Sequence, residues 1–96
     1  MRPSLRALGA FPRLTLFTRA TCGLCDTAKA SIAAVAPRAR LAAVHTVDID
    51  APGNERWHDL YAFDVPVVHF QPAEDAPVTK AMHHISPETV EKLLGI

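Results

Sequence analysis

The stretch "RLTLFTRATCGLCDTAKASI", residues 13–32, contains both cysteines of the chain, Cys22 and Cys25. Its residues 14–18 form a short apolar and β-branched run, which predicts a buried strand. From Cys22 to about Ala36 the pattern changes to helical spacing. The apolar or small residues that share one face of this helix are predicted to be Leu24, Ala28, Ile32 and Val35. The stretch therefore predicts a strand that leads a Cys-x-x-Cys motif into the start of a helix.

The rest of the chain predicts three more strands and two more helices. The further strands are expected over residues 41–49, 65–70 and 78–85. A short helix is expected over residues 55–63, with Asn54 at its cap. The last helix has a strong start signal in Ser86, Pro87 and Glu88, runs through Leu94 and stops at Gly95. The order is βαβαββα, which predicts an α/β fold with a four-stranded mixed sheet, a parallel first pair, a final hairpin and three flanking helices.

The composition bounds the class of protein. A chain of 96 residues with 49% hydrophobic and 21% charged residues is expected to form one globular domain. No apolar run approaches the roughly 18 to 20 residues that cross a bilayer, so no membrane association is expected. Residues 1–40 carry seven basic side chains and one acid, whereas residues 41–96 carry three and nine. The basic residues are scattered and are not interleaved with aromatics, so nucleic-acid binding is not predicted.

The first residues are set apart as a basic N-terminal extension, residues 1–12, ahead of a domain over residues 13–96. The extension is rich in arginine and has no acid, which is typical of a mitochondrial presequence and also of a frayed basic terminus. Both interpretations stay open. Because two cysteines do not make a structural disulfide framework, we expect an intracellular, reducing compartment, either cytoplasm or mitochondrion.

The spacing of the cysteines suggests their chemistry. Residues three apart at the opening of a helix lie about 5–6 Å apart, within the ~4.4–6.8 Å between Cα atoms that a disulfide tolerates. Cys22 should lie at the helix N-terminus, where free N–H groups favour a thiolate, whereas Cys25 should be a buried thiol one turn inside. The division of labour that follows is that Cys22 attacks and Cys25 resolves the mixed disulfide.

Several stretches resemble the glutaredoxin-like family of the thioredoxin-fold superfamily. "TRATCGLCDTAK" is similar to the glutaredoxin active-site stretch, and "VDID" and "DLYAFDVPVV" are similar to a small subgroup with Cys-x-Leu-Cys. The resemblance covers residues 13–95. It implies a minimal thioredoxin fold and a thiol–disulfide oxidoreductase that reduces disulfides or glutathione mixed disulfides. It also implies glutathione as co-substrate, with no cofactor bound.

The resemblance also implies site residues. Cys22 and Cys25 would be catalytic, and a basic residue at the position of Arg19 would meet a glutathione carboxylate. The Val65–Pro66 peptide bond would be cis and face the dithiol, with the Val65 N–H and C=O offered to glutathione. The residues implied in substrate binding are Arg19, Thr21, Leu24, Val65 and Pro66. Positive charge from Lys29 near Cys22 is a further expectation, alongside ordinary surface charge.

Two departures from the family pattern bear on glutathione. Glutaredoxins usually have Pro-Tyr between the cysteines, where this chain has Gly23-Leu24. They also have a glycine turn before the last helix, where this chain reads "AMHHISPET", residues 81–89. Without the glycines the backbone is expected to approach glutathione less closely, which predicts weaker recognition of glutathione.

Other functions remain open beside the redox one. Zinc needs about four ligands, and the two cysteines supply only half of them. His83 and His84 are adjacent on a predicted strand and should point to opposite faces, so no metal site is predicted. A bridging iron–sulfur cluster is disfavoured by the weakened glutathione site. A redox-inactive binding module, with its groove near Pro66, is the third alternative. We expect a monomer whose partners are a disulfide-containing or glutathionylated protein, a small thiol and a reductase.

Overall fold

The computed structural model describes residues 10–96. The extension predicted over residues 1–12 therefore lies largely outside the described residues. The strands are β1 (Arg13–Thr18), β2 (Ala43–Asp48), β3 (Val67–Gln71) and β4 (Thr79–Met82). The helices are α1 (Gly23–Val35), α2 (Glu55–Tyr61) and α3 (Pro87–Leu94), with a 3₁₀ turn at Ala36–Arg38 after α1. The predicted βαβαββα order is confirmed.

The four strands form one mixed sheet in the order β2-β1-β3-β4. β1 pairs parallel to β2, with Thr15 opposite His45, and antiparallel to β3, with Thr15 opposite His69. β3 and β4 pair antiparallel as the predicted hairpin, with His69 opposite Lys80. The parallel first pair and the mixed sheet are confirmed.

The alternation of side chains along β1 divides the core between the two faces of the sheet. Leu14 and Leu16 point to one face, where α1 and α3 cover them. Phe17 points to the other face, where α2 supplies Tyr61 and Trp57. The buried members of the larger cluster are Leu14, Leu16, Ala28, Ile32, Val35, Val68, Ile85 and Val90. The chain is therefore a three-layer α/β domain with two separate apolar clusters.

Several predicted element boundaries differ from the structure, and β2 is shorter than predicted at both ends, at Ala43–Asp48. β3 begins at Val67 rather than at residue 65, because Pro66 has no N–H to donate to the sheet. β4 ends at Met82, since His83 takes the left-handed conformation with φ 70°. The expectation that His83 and His84 alternate across a strand is therefore wrong. The second helix also ends early, at Tyr61.

Of the apolar or small residues at helical spacing in α1, Ala28, Ile32 and Val35 are buried, whereas 43% of the surface of Leu24 is exposed; Cys25 is buried as predicted. The side-chain cap predicted for α2 is wrong. Asn54 stands at the N-terminal position of α2 without capping it. Its Nδ2 donates to the Asp48 carbonyl at 2.8 Å, and Glu55 accepts from the N–H of Gly53 at 3.1 Å. The loop after β2 thus uses Asn54 to bind the end of the strand.

The last helix begins and ends as predicted. Ser86 Oγ accepts the N–H of Thr89 at 3.1 Å, and Pro87 occupies the first helical position. Gly95 ends the helix with φ 77°, a left-handed conformation that glycine adopts without steric cost. Within residues 10–96 no helix is both long and apolar enough to span a membrane.

Candidate dithiol site

The last residues of β1 and β4 and the first residue of β3 lie at the same end of the sheet, where α1 also begins. β1 ends at Thr18, and its neighbour Phe17 lies opposite Val67, the first residue of β3. Met82, the last residue of β4, also lies opposite Val67. The loop from Thr18 leads directly to Cys22 at the start of α1. We call this end of the sheet the dithiol edge.

Cys22 and Cys25 are joined by a disulfide, with their Cα atoms 5.2 Å apart. Cys22 is the N-cap residue of α1, and its Sγ accepts the N–H of Cys25 at 3.2 Å. Cys25 is 1% exposed, whereas Cys22 is only half-buried. The predicted placement of one accessible and one buried cysteine at the helix start is confirmed.

The residues next to Cys22 in the chain do not cover the disulfide. Thr21 has φ 54°, and its Oγ1 donates to the carbonyl of Ala20 at 2.6 Å. A Cβ placed on Gly23 would meet no atom within 4 Å. Leu24, between the cysteines, projects partly into solvent. The Gly23-Leu24 pair therefore builds no wall over the disulfide.

The segment before β3 follows the resemblance in one respect and adds a constraint in another. The Val65–Pro66 peptide bond is cis, as expected. The Pro66 carbonyl accepts the N–H of His83 at 2.9 Å, which ties this segment to the residue after β4. The Val65 N–H donates to the Tyr61 carbonyl at 3.2 Å. A ligand that bound the Val65 N–H would have to replace that bond.

Arg19 connects the end of β1 to the α2 side of the dithiol edge. Its Nε and one terminal nitrogen bind the two oxygens of Asp50 at 3.0 and 2.8 Å. Its other terminal nitrogen donates to the Ala62 carbonyl at 2.9 Å. The hydrogen bond from Arg19 lowers the pKa of Asp50, and the same bond raises the pKa of Arg19. The charge that was expected to meet a glutathione carboxylate is thus already paired.

Lys29 is the other basic residue expected near Cys22. It lies seven residues further along the chain in α1, about 10 Å along the helix axis at ~1.5 Å per residue. It lines a groove against β2, together with Ile32 and Val44. Its charge therefore acts on the dithiol from a distance of about one Debye length in physiological salt.

His83 lies at the dithiol edge, directly after the last residue of β4. His83 has a left-handed φ of 70° within residues 81–89, the stretch that stands where glutaredoxins have their glycine turn. Its Nε2 lies 3.7 Å from Oδ1 of Asp64. The enrichment of histidine among non-glycine residues at positive φ is the signal that points to this turn.

The pairing of His69 with Tyr61 could not be predicted from the sequence, because a strand and a helix that only the fold brings together contribute the two residues. Its Nε2 lies 2.6 Å from Oη of Tyr61, and Phe17 and Trp57 pack around it. Burial, with a smaller contribution from Lys80, lowers the pKa of His69 to about 4. His69 is therefore neutral at pH 7. A cavity of about 550 Å³ opens beside this group, towards Arg13 and the start of β1.

Among residues 10–96, no three or more histidine, cysteine or acidic side chains cluster closely enough to hold a metal ion. Tyr61 is 2% exposed, and Trp57 packs against the same apolar cluster. Both belong to the α2 layer that supports the dithiol edge.

A disulfide at a helix start and a cis proline at the same end of a four-stranded mixed sheet define a thioredoxin-like domain, and solved structures share this fold. Thioredoxin O2 from Arabidopsis thaliana in the oxidised state matches with a TM-score of 0.73 at 20% identity, over 97% of this chain and 84% of that chain. Thioredoxin O1 from Arabidopsis thaliana gives 0.72 at 21% identity, over 96% and 86%. The Northeast Structural Genomics target protein XcR50 from X. campestris gives 0.62 at 27% identity, over 85% and 95%.

The family follows from a match over most of the chain. Residues 13–95 match the model of the glutaredoxin-like domain (DUF836). The chain belongs to this family, and it carries the Cys22–Cys25 disulfide on a thioredoxin-like fold.

Proposed function

We propose that this protein is a thiol–disulfide oxidoreductase of the dithiol type, in which Cys22 is the nucleophile and Cys25 the resolving cysteine. One observation carries the proposal. The two cysteines form a disulfide at the start of α1, with Cys22 half-buried and Cys25 buried. The Cys25 N–H that points at Cys22 Sγ, together with the positive end of the helix, favours negative charge on the attacking sulfur.

The reaction balances in two exchanges. The Cys22 thiolate attacks a sulfur of the substrate disulfide, which forms a mixed disulfide and releases one substrate thiolate. The Cys25 thiolate then attacks Cys22 Sγ, releases the second substrate thiolate and leaves the Cys22–Cys25 disulfide. The substrate gains two electrons and the dithiol loses two. Glutathione or the dithiol of a reductase restores the reduced protein.

The finer assignments are part of the same proposal. We place the chain in the Cys-x-Leu-Cys subgroup and assign substrate contacts to Arg19, Thr21, Leu24, Val65 and Pro66. Glutathione is the proposed co-substrate, and disulfide-containing or glutathionylated molecules are the proposed substrates. A monomer in a reducing intracellular compartment fits two cysteines that form a redox couple rather than a structural framework.

The test is glutathione-coupled reduction of a small mixed disulfide by the wild type, Cys22→Ser and Cys25→Ser. Activity should vanish in Cys22→Ser and survive in Cys25→Ser, which keeps the nucleophile. A titration of the wild type in redox buffers should show one two-electron couple. Activity that persists in Cys22→Ser would overturn the assignment. A clean couple without glutathione-dependent turnover would point to another reductant or to a binding role.

A further inference from the structure

The α2 face of the sheet is covered by a helix at one end only. With seven residues, α2 is about 10 Å long at 1.5 Å per residue, and it packs over Phe17 at the dithiol edge. Side chains alternate along a strand, so Arg13 and Thr15 lie on the same face as Phe17 but further from that edge. The cavity of about 550 Å³ lies over this part of the sheet, where no helix of residues 10–96 covers it.

The cavity is apolar at one end and polar along its floor. Phe17 and Trp57 line the end nearest the dithiol edge. Thr15 lies on the floor, with His45 of β2 and His69 of β3 directly opposite it on the two neighbouring strands. The volume falls within the roughly 300–1,000 Å³ of small-molecule sites, which combine apolar walls with a few polar groups. The lining therefore suits a ligand with an aromatic body.

Arg13 supplies the positive charge at the other end of the cavity. Its guanidinium lies over the ring of Phe11, 4.4 Å from the ring centre. Its Nε is buried, and within residues 10–96 no group accepts a hydrogen bond from it. A buried donor without an acceptor costs free energy, and a guanidinium binds a carboxylate through two parallel hydrogen bonds. A carboxylate bound by Nε and a terminal nitrogen would satisfy this donor and neutralise the charge.

The charges around the cavity favour a single negative charge on the ligand. None of the described residues that line the cavity is acidic. Lys80, opposite His69 on β4, adds positive potential from outside the lining, with its Nζ 5.6 Å from the centre of the Tyr61 ring. One guanidinium inside the cavity matches a carboxylate, whereas a phosphate group carries close to two charges.

We propose that this cavity binds a small aromatic monocarboxylate, with the carboxylate on Arg13 and the ring against Trp57. Arg13 and Phe17 are four residues apart in β1, which separates the two ends by about 13 Å at 3.3 Å per residue. A ring joined to a carboxylate by a short alkyl chain spans most of this distance. Neither cysteine lines the cavity, so the site is separate from the dithiol and its binding requires no redox step.

The test is a titration of the full chain with 3-phenylpropionate, followed by the fluorescence of Trp57, the only tryptophan of the chain. We expect a saturable change with a Kd of about 1 mM or lower, in keeping with the size of the ligand. Propionate lacks the ring and 3-phenylpropanol lacks the charge, and each should bind at least about tenfold more weakly. Equal binding of the alcohol, or no saturation at concentrations about tenfold above that Kd, would overturn the proposal.

Variants then locate the site. Arg13→Gln should weaken the binding of 3-phenylpropionate about tenfold, because it removes the charge and the paired hydrogen bonds, and Arg13→Lys should recover part of the loss. The matched control is Arg40→Gln, which removes an exposed arginine outside the cavity lining and should bind like the wild type. Wild-type affinity in Arg13→Gln would overturn the proposal. Cys22→Ser should bind with wild-type affinity, so this site and the redox function are tested independently.

Discussion

The sheet is covered on one face by α1 and α3 with aliphatic side chains, and on the other by the seven-residue α2 with aromatic and polar ones. Two sets of hydrogen bonds attach the α2 face. One joins Tyr61 to His69, and the other joins Arg19 to the Asp50 carboxylate and the Ala62 carbonyl. A short helix buries little apolar area, so directional bonds supply more of its attachment. The aliphatic face therefore contributes most of the stability of the fold, whereas the α2 face positions the segment at Phe63 and Pro66.

The largest effect is expected on the aliphatic face. Leu16→Ala should lower the free energy of unfolding by about 3 kcal/mol, because it leaves a cavity in a fully buried cluster. Urea denaturation measures it. Thr15→Ala, the adjacent residue on the α2 face, should cost well under ~1 kcal/mol. Equal losses from the two substitutions would remove the contrast between the faces.

A smaller effect on stability is expected from the hydrogen bond between Tyr61 and His69 in the aromatic cluster. Tyr61→Phe should lower the free energy of unfolding by about 1 kcal/mol, because it removes the hydroxyl that bonds His69. Trp57, the only tryptophan of the chain, packs against the same cluster and reports its unfolding by fluorescence. In a His69→Phe background the same substitution should cost little, since the partner is gone. A full cost in that background would assign the effect to packing instead.

The pH dependence of stability should carry the signature of His69. Its pKa in the folded protein is about 4 against 6.5 for the ordinary side chain. Between these values the unfolded chain binds a proton that the folded protein does not, so this contribution to stability falls as the pH drops from about 6.5 to about 4. His69→Phe should flatten the profile in this window. A slope that survives His69→Phe would contradict the assignment.

The smallest effect on global stability is expected from the exposed ion pair between Arg19 and Asp50. Asp50→Asn should weaken the hold of Arg19 on the α2 side with little change in the urea midpoint, because exposed ion pairs contribute little. Amide hydrogen exchange should rise at Asp64 and Val65, whose segment Arg19 anchors through Ala62. Glu91→Gln breaks the exposed pair with Arg38 and is the control. Faster exchange at Asp64 in that control as well would show a general loosening instead.

Local patterns predicted the elements because each carries its own signal. Ser86, Pro87 and Gly95 bounded the last helix at both ends, and the apolar run before the cysteines marked β1. Two of the boundaries that failed lie where one residue changes the backbone. Pro66 cannot donate to the sheet and His83 turns left-handed, so both adjoining strands are shorter than their apolar patterns.

The site likewise has features that the local sequence predicted and features that it did not. The pairing of Cys22 with Cys25, and the contrast in their exposure, followed from a spacing of three residues at a helix start. The partner of Arg19 did not, because 31 residues separate it from Asp50 and 43 from Ala62. Phe63 is 97% exposed. Its exposure was equally out of reach, since it depends on where α2 stops and on which groups hold the next segment. Short-range geometry is encoded in adjacent residues, whereas charge pairing and exposure depend on which distant segments the folded chain brings together.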